Sequence, residues 1–123
     1  MRWPRTAWLL LLAVVLGQIA WVLVSGSARV AMTAVTVVGF WAVTLLDAQR
    51  RYGKRWMAAY VGLVALAAWI VEAIGVSSGL PFGHYEYTDL LGPKLGPVPL
   101  LVPLAWSMMV YPCWLAAQRV MPN

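Results

Sequence analysis

The sequence has little of what soluble domains are usually made of. Charged residues fill 11% of its 123 positions, four acids against nine Lys and Arg, where about 25% is usual. The hydrophobic share is 63%, against roughly 45–50% in soluble domains, which excludes an ordinary water-soluble fold and points to a bilayer as solvent. One cysteine, Cys113, and one histidine, His84, are present, so an internal disulfide and a multi-cysteine metal site are excluded. Cys113 sits between Pro112 and Trp114 in an apolar run and reads as packing. Repeats and low-complexity tracts are missing as well. The net charge of +5 does not imply nucleic-acid binding, because that needs a basic patch on a water-exposed face.

What is there is a series of apolar runs. Spans of about 20 residues make the chain a single integral membrane domain, 1–123. The fold class expected is all-α, a polytopic transmembrane bundle with spans at about 7–24, 30–46, 56–74 and 98–117. The first run also resembles a secretory signal peptide, with Arg2 and Arg5 before it and Gly26-Ser27-Ala28 after it. Its charge-free length exceeds the 7–15 apolar residues usual in such peptides, so a span is preferred. Asp47 to Arg55 reads as a short polar connection. Pro99 and Pro103 suit the first turn of the fourth helix, and Pro112 inside it should free the carbonyl of Met108.

The basic residues set an orientation, since Lys and Arg near span ends stay cytoplasmic. With both termini inside, Arg2, Arg5, Arg50, Arg51, Lys54, Arg55 and Arg119 are cytoplasmic, and only Arg29 and Lys94 lie outside. Trp3, Trp8, Trp21, Trp56 and Trp114 lie near span ends, as interface anchors do.

Residues 75–97 break the apolar pattern. Gly75, Gly79, Gly83, Gly92 and Gly96, with Pro81, Pro93 and Pro97, exclude a long regular helix. The glycines formally match a small-residue dimerisation motif, but the interposed prolines and polar side chains argue against it. Three of the four acids, Glu72, Glu86 and Asp89, gather here with His84. An ionisable residue within a span is a functional candidate. Glu72 shares a helical face with Ala68 and Trp69, and a carboxylic acid beside an apolar cleft is a usable general acid; the plain alternative is a helix-end cap. Glu86 and Asp89 either solvate an external loop or handle water. His84, Glu86 and Asp89 are types that bind iron or zinc, yet with one histidine and no HExxH spacing no metal is expected. Trp69, Phe82, Tyr85, Tyr87, Trp106 and Tyr111 either pack a helical interface or line a slot for a long apolar ligand, stabilising positive charge on it.

The run Glu72-Ala-Ile-Gly75, then Pro81-Phe82-Gly83-His84-Tyr85-Glu86-Tyr87, Leu91-Gly92-Pro93, and Pro103-Leu104-Ala105-Trp106-Ser107 to Tyr111-Pro112 resembles the membrane-integral carotenoid biosynthesis family, which includes the bisanhydrobacterioruberin and gamma-carotene hydratase types of bacteria and haloarchaea. The resemblance extends over about Tyr60 to Pro112. It implies a hydratase of the lyase class that adds water across the terminal C=C bond of an acyclic carotenoid end, leaving a tertiary alcohol, with no cofactor. In that reaction Glu72 is the expected acid, with Glu86 or Asp89 handling water. Trp69, Phe82, His84, Tyr85, Tyr87, Trp106 and Tyr111 would bind the carotenoid, the apolar partner expected beside the bilayer. Family members are expected to be considerably longer. The chain would then be a shortened relative or an N-terminal portion, with a homo-oligomer or second subunit helping to bury the acids. Two other classes compete. A non-catalytic four-span subunit, lipid binder or scaffold needs only a rigid external loop, whereas transport needs polar residues through several spans, and Gln18 with a few Ser and Thr is a poor supply.

Overall fold

The computed structural model describes residues 4–121; Arg2 and Trp3, expected as topology and interface residues, lie outside them. The fold is all-α. Helix α1 is Arg5–Trp21, α2 Gly26–Tyr52, α3 Lys54–Ser78 and α4 Leu101–Val120; a single 3-10 turn, Asp89–Leu91, and two short strands, β1 Lys94–Leu95 and β2 Val98–Pro99, lie between α3 and α4. Two compact units divide the chain, Met1–Met57 and Ala58–Asn123.

In the first unit α1 and α2 form a helical hairpin. Its helices approach through small residues: a Cβ on Gly39 would lie 2.5 Å from Cγ2 of Val14, and one on Gly17 would lie 3.1 Å from Cγ2 of Thr36. Small side chains at a crossing let two apolar helices gain dispersion contact where hydrophobic driving force is weak. Trp21 ties the hairpin end, donating its indole N–H to Thr33 Oγ1 at 2.9 Å while the Arg29 guanidinium lies 4.8 Å over its ring. An apolar groove of about 500 Å³ lies between the helices, lined by Leu10, Ala13, Ala31 and Met32 among others, with no titratable side chain in its wall.

Two expected boundaries are corrected. The polar connection placed at Asp47 to Arg55 is only Gly53, because α2 continues to Tyr52 and α3 starts at Lys54. Charge ends an apolar run without ending a helix. Asp47 and Arg51, one turn apart, make an ion pair at 2.6 Å, and Arg50 and Arg51 occupy the last turn, where cations complement the helix dipole. Gly53 makes the break with φ 85°, a conformation that favours glycine. The second correction concerns Pro99, expected in the fourth helix. It pairs with Lys94 in the β1–β2 hairpin, Leu95 facing Val98, and α4 begins two residues later, with Pro103 in its first turn and Pro112 inside it.

In the second unit α3 is apolar on the outside and small or polar on the inside. Leu63, Leu66, Ile70 and Ile74 form one exposed stripe, while Ala68, Glu72 and Gly75 are its buried residues. That distribution inverts the water-soluble pattern. Among the described residues, α2 and α3 are the helices long and apolar enough to cross a membrane by length and composition; α1, at 17 residues, is apolar but shorter. α4 is held to α3 by the Tyr60 hydroxyl, which donates to the Ser107 carbonyl at 2.6 Å, and by Tyr60 edge-on to Tyr111, centroids 5.8 Å apart. Trp69 donates to the Leu95 carbonyl at 2.9 Å, fastening the hairpin to α3. Val98 is fully buried.

Candidate functional site

Glu72 stands on the buried face of α3, one turn after Ala68 and one before Gly75, with 6% of its surface exposed. Past the helix end the chain turns back. Gly79, with φ 75°, donates its N–H to the Gly75 carbonyl at 2.8 Å, and Gly83, with φ 88°, donates to Gly79. The next residues, 84–88, form no regular helix or strand. Tyr85 and Tyr87 both reach the same carboxylate, and Glu86 between them is exposed.

Three donors converge on Glu72. Tyr85 and Tyr87 donate their hydroxyls to Oε2 at 2.7 and 2.8 Å, and Trp106, from α4, donates its indole N–H to Oε1 at 2.9 Å. Tyr85 and Tyr87 meet edge to face, centroids 5.5 Å apart at 90°, and Phe82 lies edge-on to Tyr85 at 6.4 Å. Tyr85 reaches the acid because residue 75 has no side chain: a Cβ there would lie 2.5 Å from the Tyr85 hydroxyl. The hydrogen bond to the Glu72 carboxylate, then burial, raises the Tyr85 phenol above its ordinary value. Burial is the larger cause for Tyr87, followed by the bond to Glu72, and its phenol is raised further.

The remaining expected site residues have other neighbours. Asp89 is exposed and ion-paired with Lys94 at 2.8 Å, which holds its carboxyl below the usual carboxylate range. His84 packs over Gly79, where a Cβ would lie 2.9 Å from its ring. Phe82 is exposed beside Tyr85. Trp69 holds β1, and Tyr111 pairs with Tyr60 and, at 6.4 Å, with Trp114. The rings of Tyr85, Tyr87 and Trp106 present O–H and N–H edges to the acid rather than stacked faces. Among the described residues no group of three His, Cys, Asp or Glu side chains could hold a metal ion.

Two residues of the site were not expected there from the sequence. Gly75 is a small residue one helical turn after the buried acid, and that spacing is the signal that marks it. Lys94 donates to the Tyr87 carbonyl at 2.6 Å as well as to Asp89, so it anchors the segment that carries the second phenol. Nothing in the linear sequence pairs it with Tyr87.

The family model for carotenoid biosynthesis proteins matches residues 26–123. The chain belongs to the carotenoid biosynthesis protein family. The match begins at the first residue of α2 and contains every member of the Glu72 cluster, so it reaches further than the resemblance carried by residues 60–112. Comparison with curated proteins gives no match, nor does comparison with solved structures. Its role is therefore in carotenoid biosynthesis, and its two long apolar helices point to a membrane protein.

Proposed function

We propose that this carotenoid biosynthesis protein hydrates the terminal double bond of an acyclic carotenoid end, giving a tertiary alcohol. The observation that carries the reading is Glu72, a buried acid among apolar side chains whose oxygens meet Tyr85, Tyr87 and Trp106. An isopropylidene end has only a C=C bond to react. Protonation at its CH carbon makes a tertiary cation, and water adds to that cation and loses a proton, so no electrons are exchanged with a cofactor. The chain must therefore supply a proton, a pocket tolerant of positive charge, and a route for water. Glu72 is the source of the proton in this reading. Its conjugate carboxylate then stands beside the cation, where a fixed opposite charge is worth most in a water-poor site. Exposed Phe82 and the ring of Tyr85 supply apolar contact to the polyene end, and Glu86 and Asp89, on the exposed side of the loop, guide water to it.

The same reading sets the chain in the membrane with four spans, α1 to α4, and both termini cytoplasmic. The support is the excess of Arg and Lys at the α2–α3 junction and chain ends over the α1–α2 turn and the α3–α4 segment. The test is pigment analysis. Cells that accumulate an acyclic carotenoid and express the chain should form a more polar carotenoid, one water heavier, and Glu72→Gln should reduce that product by about 100-fold or more. An unchanged pigment profile with membrane-inserted protein contradicts the reading.

A further inference from the structure

Glu72 is nearly sealed from its surroundings, and its neighbours decide where a proton can sit and how it can leave. The Trp106 indole N–H can only donate, which holds Oε1 as the accepting oxygen. Oε2 meets two phenols, and a phenol both donates and accepts. A proton on Glu72 accordingly belongs on Oε2, where one phenol turns from donor to acceptor and frees its own O–H to point elsewhere.

The two phenols differ. Tyr87 is the more desolvated, burial being the largest influence on it, and its carbonyl is held by Lys94. Tyr85 passes over bare Gly75 and lies against Phe82, which is 55% exposed, so it borders the open side of the cluster.

We infer that Tyr85 is the catalytic residue that hands the proton to the alkene, with Glu72 behind it as the reservoir and Gly75 positioning the phenol between them. This rests on the hydration proposed above and adds the identity of the group that touches substrate. The π electron pair of the terminal C=C takes the Tyr85 O–H proton, forming a C–H bond and leaving a tertiary cation. The Glu72 proton moves from Oε2 to the Tyr85 oxygen, so no phenolate accumulates. Water adds to the cation through its oxygen, and the proton it loses returns to the Glu72 carboxylate.

The test uses the full chain in lipid nanodiscs with lycopene, an acyclic carotenoid with isopropylidene ends, and measures the initial rate of hydrated product. Tyr85→Phe should lower the rate by about 100-fold or more, the scale of general acid catalysis, while Tyr87→Phe should lose less than about tenfold. Gly75→Ala, which keeps the phenol but obstructs its position, should lose on the order of tens of fold. Ring-fluorinated tyrosine keeps the side chain's shape and makes the phenol more acidic, so at position 85 it should accelerate the reaction and at position 87 leave it nearly unchanged. A wild-type chain that forms no hydrated product overturns hydration and the relay together. An active wild type whose Tyr85→Phe variant is equally active, or whose rate responds to fluorination at 87 and not at 85, overturns the relay alone.

Discussion

Gly39, midway along α2, and Gly75, in the last turn of α3, are both glycines of apolar helices, and at both a Cβ would come within 2.5 Å of another side chain. At Gly39 that neighbour is Val14, and the missing side chain lets α1 lie against α2. At Gly75 it is the Tyr85 hydroxyl, and the missing side chain lets a phenol reach Glu72. The first unit spends its small residues on helix packing beside a groove without a titratable group; the second spends them on access to a buried acid. The same residue type in the same kind of run thus serves helix packing in one place and the approach of a phenol to a buried acid in the other, and what it faces decides which.

That contrast can be broken or sharpened by substitution. The largest effect is expected for Glu72→Gln, which keeps the size of the side chain and removes the acid: product formation in carotenoid-accumulating cells should fall by about 100-fold or more, with protein level and helical circular dichroism unchanged. Gly75→Ala should follow, with a loss on the order of tens of fold in rate and normal membrane insertion, because the Tyr85 hydroxyl is displaced from the acid by even a small error in position. Gly39→Ala should do the reverse. Overpacking against Val14 typically costs about 1–3 kcal/mol, partly offset by a helix gain of roughly 1 kcal/mol, so thermal unfolding in detergent should shift down while the rate per folded molecule holds. If Gly39→Ala loses rate and keeps stability, the division between the two units fails.

Lys94→Met should have an intermediate effect, a several-fold loss of rate, because the Tyr87 carbonyl loses its donor while the phenol keeps its own bond to Glu72. A comparison with Lys94→Arg, which restores a cation able to reach Asp89, separates positioning from loop collapse: partial rescue is expected. The smallest effect belongs to Glu86→Gln, within about twofold, since that side chain is exposed while the two phenols flanking it are half-buried. A large loss there would move the water-handling role into the core of the mechanism.

Much of the site could be read in the sequence, for physical reasons particular to each residue. Glu72 is an acid at the end of a long apolar helix, which is costly unless it is used or satisfied. Tyr85 and Tyr87 stand out as two phenols separated by one residue in the segment just after that acid. Trp106 was legible as an aromatic residue of the facing helix, though not as a donor to Oε1. What escaped depends on long-range contact. The β1–β2 hairpin has strands of two residues, too short for any period to show, and it removed Pro99 from the helix it was expected to open. The α2 helix carried on through Asp47 and Arg51 because an ion pair one turn apart sustains a helix where hydropathy falls away. Lys94 was read only as one of two external charges, since its link to Tyr87 exists only once the segment folds over α3.

Hydration at the Glu72 cluster has one direct consequence in isotope labelling. Lycopene converted by the nanodisc-embedded chain in deuterium oxide should give a tertiary alcohol bearing a single deuterium on the carbon next to the carbinol carbon, and Glu72→Gln should abolish that labelled product. A polar product without deuterium at that carbon, or a labelled product formed equally well by Glu72→Gln, would contradict the assignment of Glu72 as the acid of a carotenoid hydration.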